Sequence, residues 1–303
     1  MILFQDGLIV LQLIIMNRFY YIDKPLNYSS FDVIRVLKKK LNIKKIGHSW
    51  TLDPLATGGL LIATWNYTKL IPYLEKDKKT YEFEISFDWT TDSFDLAEKI
   101  NFLSEEKQNY FKNNLTKDKI KEILIKNFLG EITQIPPKYS ALKINGQRAY
   151  KLAREGEKVN IKKRKINIFS IEILNYSYPK LLLKAEVSAW TYIRSIANDL
   201  WEILWTWWYI TKLRRTKIAS LDISKAQNLE NFDKENFLEE KDVFKDKEFI
   251  SLEKDILEKI NNWLKVYKKF DFKKNIDLFV FDWEKITNIV SYDWEKLIPK
   301  RKI

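Results

Sequence analysis

The 303-residue sequence contains no cysteine and only one histidine, His48. Without thiols there is no disulfide, no thiolate nucleophile and no Cys-ligated zinc. A lone imidazole also rules out two-His metal motifs. Chemistry must then rest mainly on carboxylates, Tyr, Lys, Arg or hydroxyls. The lack of cysteine fits a reducing compartment. Long apolar runs are missing as well. The opening MILFQDGLIVLQLIIM is interrupted by Gln5, Asp6 and Gln12, and is too short and broken for a membrane-spanning helix. It lacks the basic start and small-residue cleavage site of a signal peptide. Met16 leads directly into NRFYYIDKP, which reads as the start of a folded domain, so residues 1–15 are expected to be a non-native extension.

Glycine is scarce too. Average usage of about 7% would give about 21, yet there are 7 glycines beside 11 tryptophans. The tryptophans sit in places suited to glycine. Asp282-Trp283 and Asp293-Trp294 each lie between short β-like runs, where Asp-Gly would be the strongest two-residue hairpin signal. Such turns need φ > 0, which glycine accepts freely and tryptophan resists. Trp207 and Trp208, with Trp201 and Trp205 before them, follow a helical segment whose exit would suit glycine. Many of these positions are therefore expected to be glycine in the native protein, through UGA codons read as Gly. The competing reading is a Trp-rich protein with stacking platforms for RNA.

What is present is a basic, foldable chain. Hydrophobic residues make up 46% and charged residues 31%, ordinary for a folded protein. Lys plus Arg number 53 against 41 Asp plus Glu, a formal net charge of +12 with pI near 9.4. That excess suggests a polyanionic partner, most commonly nucleic acid; a basic surface kept for solubility is the plainer alternative.

Periodicity gives the organisation. FYYID (19–23) reads as a strand, and a helix follows from about Phe31 to Leu41, with apolar residues at 31, 34, 37 and 41 and Ser29 or Ser30 as N-cap. The segment 47–59 is loop-like and leads into LLIAT. KTYEFEISFD (79–88) alternates as a strand, and 103–129 is amphipathic and mostly helical. IPPKYSALKING (135–146) begins with two prolines and is expected to be extended. INIFSIEILNY and LLLKAEVSAW read as strands. YIRSIANDLWEIL reads as a helix with Ile193, Ile196, Leu200, Ile203 and Leu204 along one stripe. Strands mixed with helices without strict alternation indicate an α+β fold. Residues 229–248 look like a solvated linker or helix, and 249–303 like a small β-rich module.

Asp53 stands in a loop between a helix and an apolar run. A carboxylate there, with a basic residue brought from elsewhere, suits a nucleophile or base; an Asp before Pro is also a common turn residue. GHSWTLDPLATGGLLIATWNYTK, however, closely resembles the motif of the bacterial TruB family of tRNA pseudouridine synthases. IDKP, KTYEFE, IPPKYSALKINGQRAYKLAREG, SAWTYIRSIANDLWEIL and KLRRTKIAS resemble the same family in order and spacing. The resemblance covers about residues 17–225. Trp50, Trp65, Trp190, Trp201, Trp205 and Trp207 fall where that family usually has glycine.

The resemblance implies the pseudouridine synthase fold: a mixed, mainly antiparallel sheet flanked by helices over 16–228. A looser likeness implies a reduced PUA-type RNA-binding module over 249–303. It implies Asp53 as the catalytic residue that attacks the target nucleoside, Tyr81 stacking on the flipped base, Tyr192 as an active-site residue and Arg194 pairing with the catalytic carboxylate. Leu213 would line the pocket, Lys24 and Pro25 support the catalytic loop, and His48 contact RNA near the displaced base. Arg214 and Arg215 are candidates for phosphate or structural contacts. The implied reaction converts uridine 55 in the tRNA T-loop to pseudouridine by base flipping, without metal or organic cofactor. The implied enzyme is a cytoplasmic monomer needing no protein partner and no membrane. Two other readings are a tRNA-binding folding chaperone with lost or incidental catalysis, favoured by bulky Trp50 and Trp190 in the loops, and the family's RNA-guided relative, for which no long basic extension is evident.

Overall fold

The structure is a computed structural model. It describes residues 17–303 except 75–77, 88, 91–100, 103, 138–141, 145, 150–151, 153–160, 205–208, 274–275 and 283–284. The expected extension before Met16 lies outside these residues, as do Trp205, Trp207, Trp208, Trp283 and much of the 135–156 block.

The large sheet is built from β1 (Phe19–Lys24), β2 (Ile46–His48), β3 (Ala56–Thr64), β4 (Lys79–Ser86), β5 (Gly130–Gln134), β6 (Arg164–Ser177), β7 (Lys180–Val187), β8 (Tyr209–Ile218), β9 (Leu221–Asp222) and β10 (Gln227–Asn228). Their order is β10-β1-β3-β8-β4-β7-β6-β5, with β2 on β3 and β9 on β8. Two pairings, β1 with β10 and β3 with β8, are parallel and the rest antiparallel. This is the mixed, mainly antiparallel α+β sheet that the sequence implied.

Strand alternation explains how the sheet is covered on both sides. Tyr20, Ile22, Leu60 and Ile62 point to one face, where they meet Val33, Ile34 and Leu37 of helix α1 (Ser30–Leu41). Phe19, Tyr21, Leu61 and Ala63 point to the other, where they meet Val243, Phe244, Phe279, Ile286 and Ile289. A third cluster joins β4, β6, β7 and β8 to helices α3 (Lys117–Phe128) and α4 (Ile193–Leu204) through residues such as Phe83, Leu124, Leu183 and Ile196, and to Leu115 at the C-cap of α2 (Glu105–Asn114), a helix with no buried residue of its own. Helix α1 starts where expected: Ser29 accepts from the Asp32 N–H, and Asp32 answers at the Ser29 N–H. Its buried stripe is Val33, Ile34 and Leu37; Phe31 is 61% exposed. The expected i, i+3 run began two residues early. Likewise Ile203 of α4 is exposed while Ile193, Ile196 and Leu200 are buried.

The C-terminal region forms a second sheet from β11 (Glu248–Ile250), β12 (Val266–Tyr267), β13 (Ile276–Asp282), β14 (Lys285–Tyr292) and β15 (Lys296–Lys302), in the order β11-β13-β14-β15-β12. Helix α5 (Lys254–Asn261) packs Ile256 and Ile260 on it. Within 229–248, expected to be solvated, Leu229, Glu240, Val243 and Phe244 are buried. This segment is the layer through which the second sheet rests on the first.

Eight non-glycine residues have positive φ among the described ones: Asn27, Asn42, Ala219 and five tryptophans, Trp50, Trp65, Trp190, Trp263 and Trp294. The left-handed conformation costs an ordinary L-residue roughly 1–2 kcal/mol, and asparagine is the usual exception. Asn42 is such a case, closing α1 at φ 52.

Candidate active site

The backbone around Asp53 is held by its neighbours. Leu52, 3% exposed, is sunk in the core beside it. The Leu52 N–H donates to Ser30 Oγ, and that hydroxyl donates to the Leu52 carbonyl. On the far side, the Asn27 N–H donates to the Pro54 carbonyl, and the Ala56 N–H to the Asp53 carbonyl. The loop is thus sewn to the N-terminus of α1 and the start of β3. That fastening presents the Asp53 side chain, 41% exposed, to the cavity above the sheet.

Two buried cations brace the loop from beneath. Lys24, at the end of β1, is fully buried and donates to the Pro25, Tyr28 and Pro54 carbonyls. Burial pulls its pKa down to about 8, opposed by the Asp53 charge. Arg215 is also fully buried; its Nε donates to the Gly59 carbonyl at 2.8 Å and its Nη2 to the Trp50 carbonyl at 2.9 Å. It therefore ties the residue three before Asp53 to the strand six after. Backbone register lets it reach: Arg215 lies opposite Gly58 on β3 and Tyr81 on β4. Only glycine fits at 58, since its φ is +103° and an added Cβ would stand 2.2 Å from the Arg215 carbonyl oxygen.

The opposing wall comes from α4 and the residues before it. Gln134, fully buried at the end of β5, accepts from the Tyr192 N–H at 2.8 Å and donates to the Tyr192 carbonyl at 3.1 Å. The Ser195 hydroxyl donates to the Ile135 carbonyl. So fixed, the first turn of α4 aims Arg194, whose side chain is 6% exposed, at Asp53, with Nε 3.0 Å from Oδ2. A buried guanidinium against a half-exposed carboxylate orients the acid and leaves its outer side free.

The cavity between these walls has a volume of about 470 Å³ and is lined by Asp53, Tyr81, Tyr192, Arg194, Leu213 and His48, together with Trp50 and Trp190. Six of the seven predicted site residues thus meet in one pocket. Lys24 is outside it, behind the loop. Tyr81 is 8% exposed on β4, and Leu213 sits opposite both Ala56 and Phe83. His48 Nδ1 is buried without a hydrogen-bond partner among the described residues, and burial followed by the Arg215 charge pushes the imidazole pKa down. The ring is then a neutral group at neutral pH. Arg214 and Arg215 divide as adjacent strand residues do. Arg214 forms a bidentate pair with Asp23, at 3.0 and 2.6 Å, and Arg215 turns into the floor. Both make structural contacts, whereas the sequence had left phosphate contacts open. Gln134, the bonds of Ser30 to Leu52 and the clamping role of Arg215 were not foreseen; none follows from local pattern, because each depends on a partner far along the chain.

A fastened Asp paired with a buried Arg thus stands between aromatic walls on a large mixed sheet. The model of the TruB family pseudouridylate synthase N-terminal domain matches residues 38–193. A Clostridium tetani protein named tRNA pseudouridine synthase B is 40% identical over 226 residues, 74% of this chain and 75% of that one. One of the same name from Phocaeicola vulgatus is 38% identical over 218 residues, covering 70% and 90%. The chain belongs to the TruB family. The fold extends further: the structure of an H/ACA RNP bound to a substrate RNA containing 2'-deoxyuridine superposes with a TM-score of 0.71 at 16% identity, over 97% of this chain and 86% of that one.

Proposed function

We propose that this chain converts uridine 55 in the T-loop of tRNA to pseudouridine, with Asp53 as the group that attacks the extruded nucleoside. The observation that carries this reading is the Asp53–Arg194 pair in a pocket walled by Tyr81, Tyr192 and Leu213. The reaction breaks the N1–C1′ bond, turns the uracil and joins C5 to C1′, with no net gain or loss of atoms. Its demands on the protein are a placed carboxylate, a flat surface for the displaced base and exclusion of water. Tyr81 is assigned the stacking role, Tyr192 and Leu213 the walls, and Arg194 the orientation of Asp53. Lys24 holds the loop, and His48 offers a neutral ring to the RNA beside the flipped base. Residues 16–228 are proposed as the catalytic domain and 249–303 as a PUA-like RNA-binding module, joined by 229–248. The enzyme is proposed to act as a cytoplasmic monomer on the T-arm; among the described residues no helix is long and apolar enough to cross a membrane.

Incubation with an unmodified tRNA transcript, followed by mapping of pseudouridine, tests the assignment. Product at position 55 is expected from the wild type, and Asp53→Asn should lower the rate by at least about a hundredfold. A tRNA-folding chaperone is the second reading, favoured by the two indoles that line the pocket, at Trp50 and Trp190. Tight tRNA binding with no product from the wild type would select it.

A further inference from the structure

We infer that the working polypeptide carries glycine at positions 50, 65, 190, 263 and 294, the codon at each being UGA read as glycine in the source. The backbone at these five residues stands at φ 49°, 48°, 68°, 60° and 82°. Positive φ is found in only a few per cent of non-glycine residues, and for a bulky side chain it is an outlier. Five such residues of one scarce type, scattered over both sheets, are a pattern that strain at a single functional loop does not produce.

Four of the five positions are also pinned locally. Residue 263 follows the C-cap of α5: its N–H donates to the Ile260 carbonyl, and the next N–H, of Leu264, donates to the Lys259 carbonyl. Those two bonds are the Schellman motif, in which this position is usually glycine. Residue 294 lies in the tight turn between β14 and β15, its carbonyl accepting from the Tyr292 hydroxyl. Residue 65 is pinned by its N–H to the Lys45 carbonyl and its carbonyl to the Thr68 hydroxyl. There the indole N–H is buried with no acceptor among the described residues, a cost glycine does not incur. Residue 50 has its carbonyl gripped by Arg215, so its backbone is not free to relax into a conformation tryptophan prefers.

Three of the side chains bring little in return, whereas Trp50 packs on the core beneath Lys79. Trp190, Trp263 and Trp294 are 55%, 59% and 59% exposed, indoles standing in water at turns. RNA-stacking platforms would also be exposed, but that role places no demand on φ and gives no reason for all three to be left-handed. Trp89, in a short strand, and Trp201, inside α4, lie within regular elements; the inference does not extend to them.

The consequence falls on the pocket, and this part rests on the Asp53 reading. Trp50 and Trp190 both line the cavity. Glycine at both removes two indoles from its wall, making room for a nucleotide drawn out of RNA.

Peptide mass spectrometry of protein isolated from its source, read beside the gene, tests the inference. Glycine at the five positions over UGA codons is expected; tryptophan peptides, or UGG codons, overturn it. Two recombinant chains, one with tryptophan and one with all five changed to glycine, give an independent arm. The glycine chain should melt about 10 °C or more higher and show the larger kcat/KM on tRNA. An equal or lower melting temperature contradicts the conformational argument. If the glycine chain is the more stable and neither forms pseudouridine, the recoding stands and the proposed reaction fails.

Discussion

Arg214 and Arg215 are neighbours in the sequence with nothing to distinguish them, yet one closes a surface ion pair and the other is fully buried beneath the Asp53 loop. Opposite orientation of successive strand residues is the whole cause. Because Arg215 holds the Trp50 and Gly59 carbonyls, Arg215→Met should lower kcat by tenfold or more, on the order of a lost charged hydrogen bond, while KM for tRNA changes little. A variant that loses only affinity would place Arg215 in RNA binding instead. Lys24 adds a pH dependence. Folding lowers its pKa from 10.5 to about 8, so the chain itself gains stability as pH rises from 8 towards 10.5. The ammonium that grips Pro54 is lost over the same range. Activity should therefore decline above pH 8 although the fold does not weaken; a rate profile flat to pH 10 would show that the Lys24 charge is not needed by the loop.

At the scale of elements, β3 and β8 approach so closely that Gly58 admits no side chain. Gly58→Ala should destabilise the fold by roughly 3 kcal/mol or more, readable as a lowered denaturation midpoint, and displace Arg215 with it. By contrast Ser29→Ala removes only the α1 cap and should cost about 1 kcal/mol. How much of this was legible follows the range of the interactions. The capping box of α1, the alternation of β1 and the stripe of α4 are local and could be read from spacing. Phe31 misled because periodicity gives a helical face but not its edges. Gln134 could not be read at all, since its partner Tyr192 lies 58 residues away. Asp53 itself was visible through its motif, while the fastening that presents it was not.

Across the whole molecule, the second sheet is packed onto the first through Phe244, Phe279, Ile286 and Ile289. Glu240 sits in that layer, 5% exposed, with one oxygen accepting from the Ile286 N–H. Burial raises its pKa to about 7. The folded chain then holds a proton that the unfolded chain releases above 4.5, so stability falls as pH rises from 4.5 to 7. Glu240→Gln keeps the acceptor and removes the charge. It should stabilise the protein by roughly 3 kcal/mol at pH 8 and by almost nothing at pH 4; an equal effect at both would refute the assignment.

The same junction is strongly basic. Lys69 donates to the Lys302 carbonyl, and its pKa is lowered first by burial and then by Lys45, Arg301 and Lys302. Like charges gathered where the two sheets meet suit an RNA backbone. Binding of tRNA should weaken on the order of a hundredfold between 50 and 200 mM salt, and less steeply for Arg301→Ala with Lys302→Ala.

The expectations about activity hang on the carboxylate of Asp53 in the pocket. Pseudouridine mapping of an unmodified tRNA transcript, after incubation with wild type and with Asp53→Ala in parallel, addresses it most directly. The account predicts pseudouridine at position 55 from the wild type and none from the variant; product formed equally by both would contradict it.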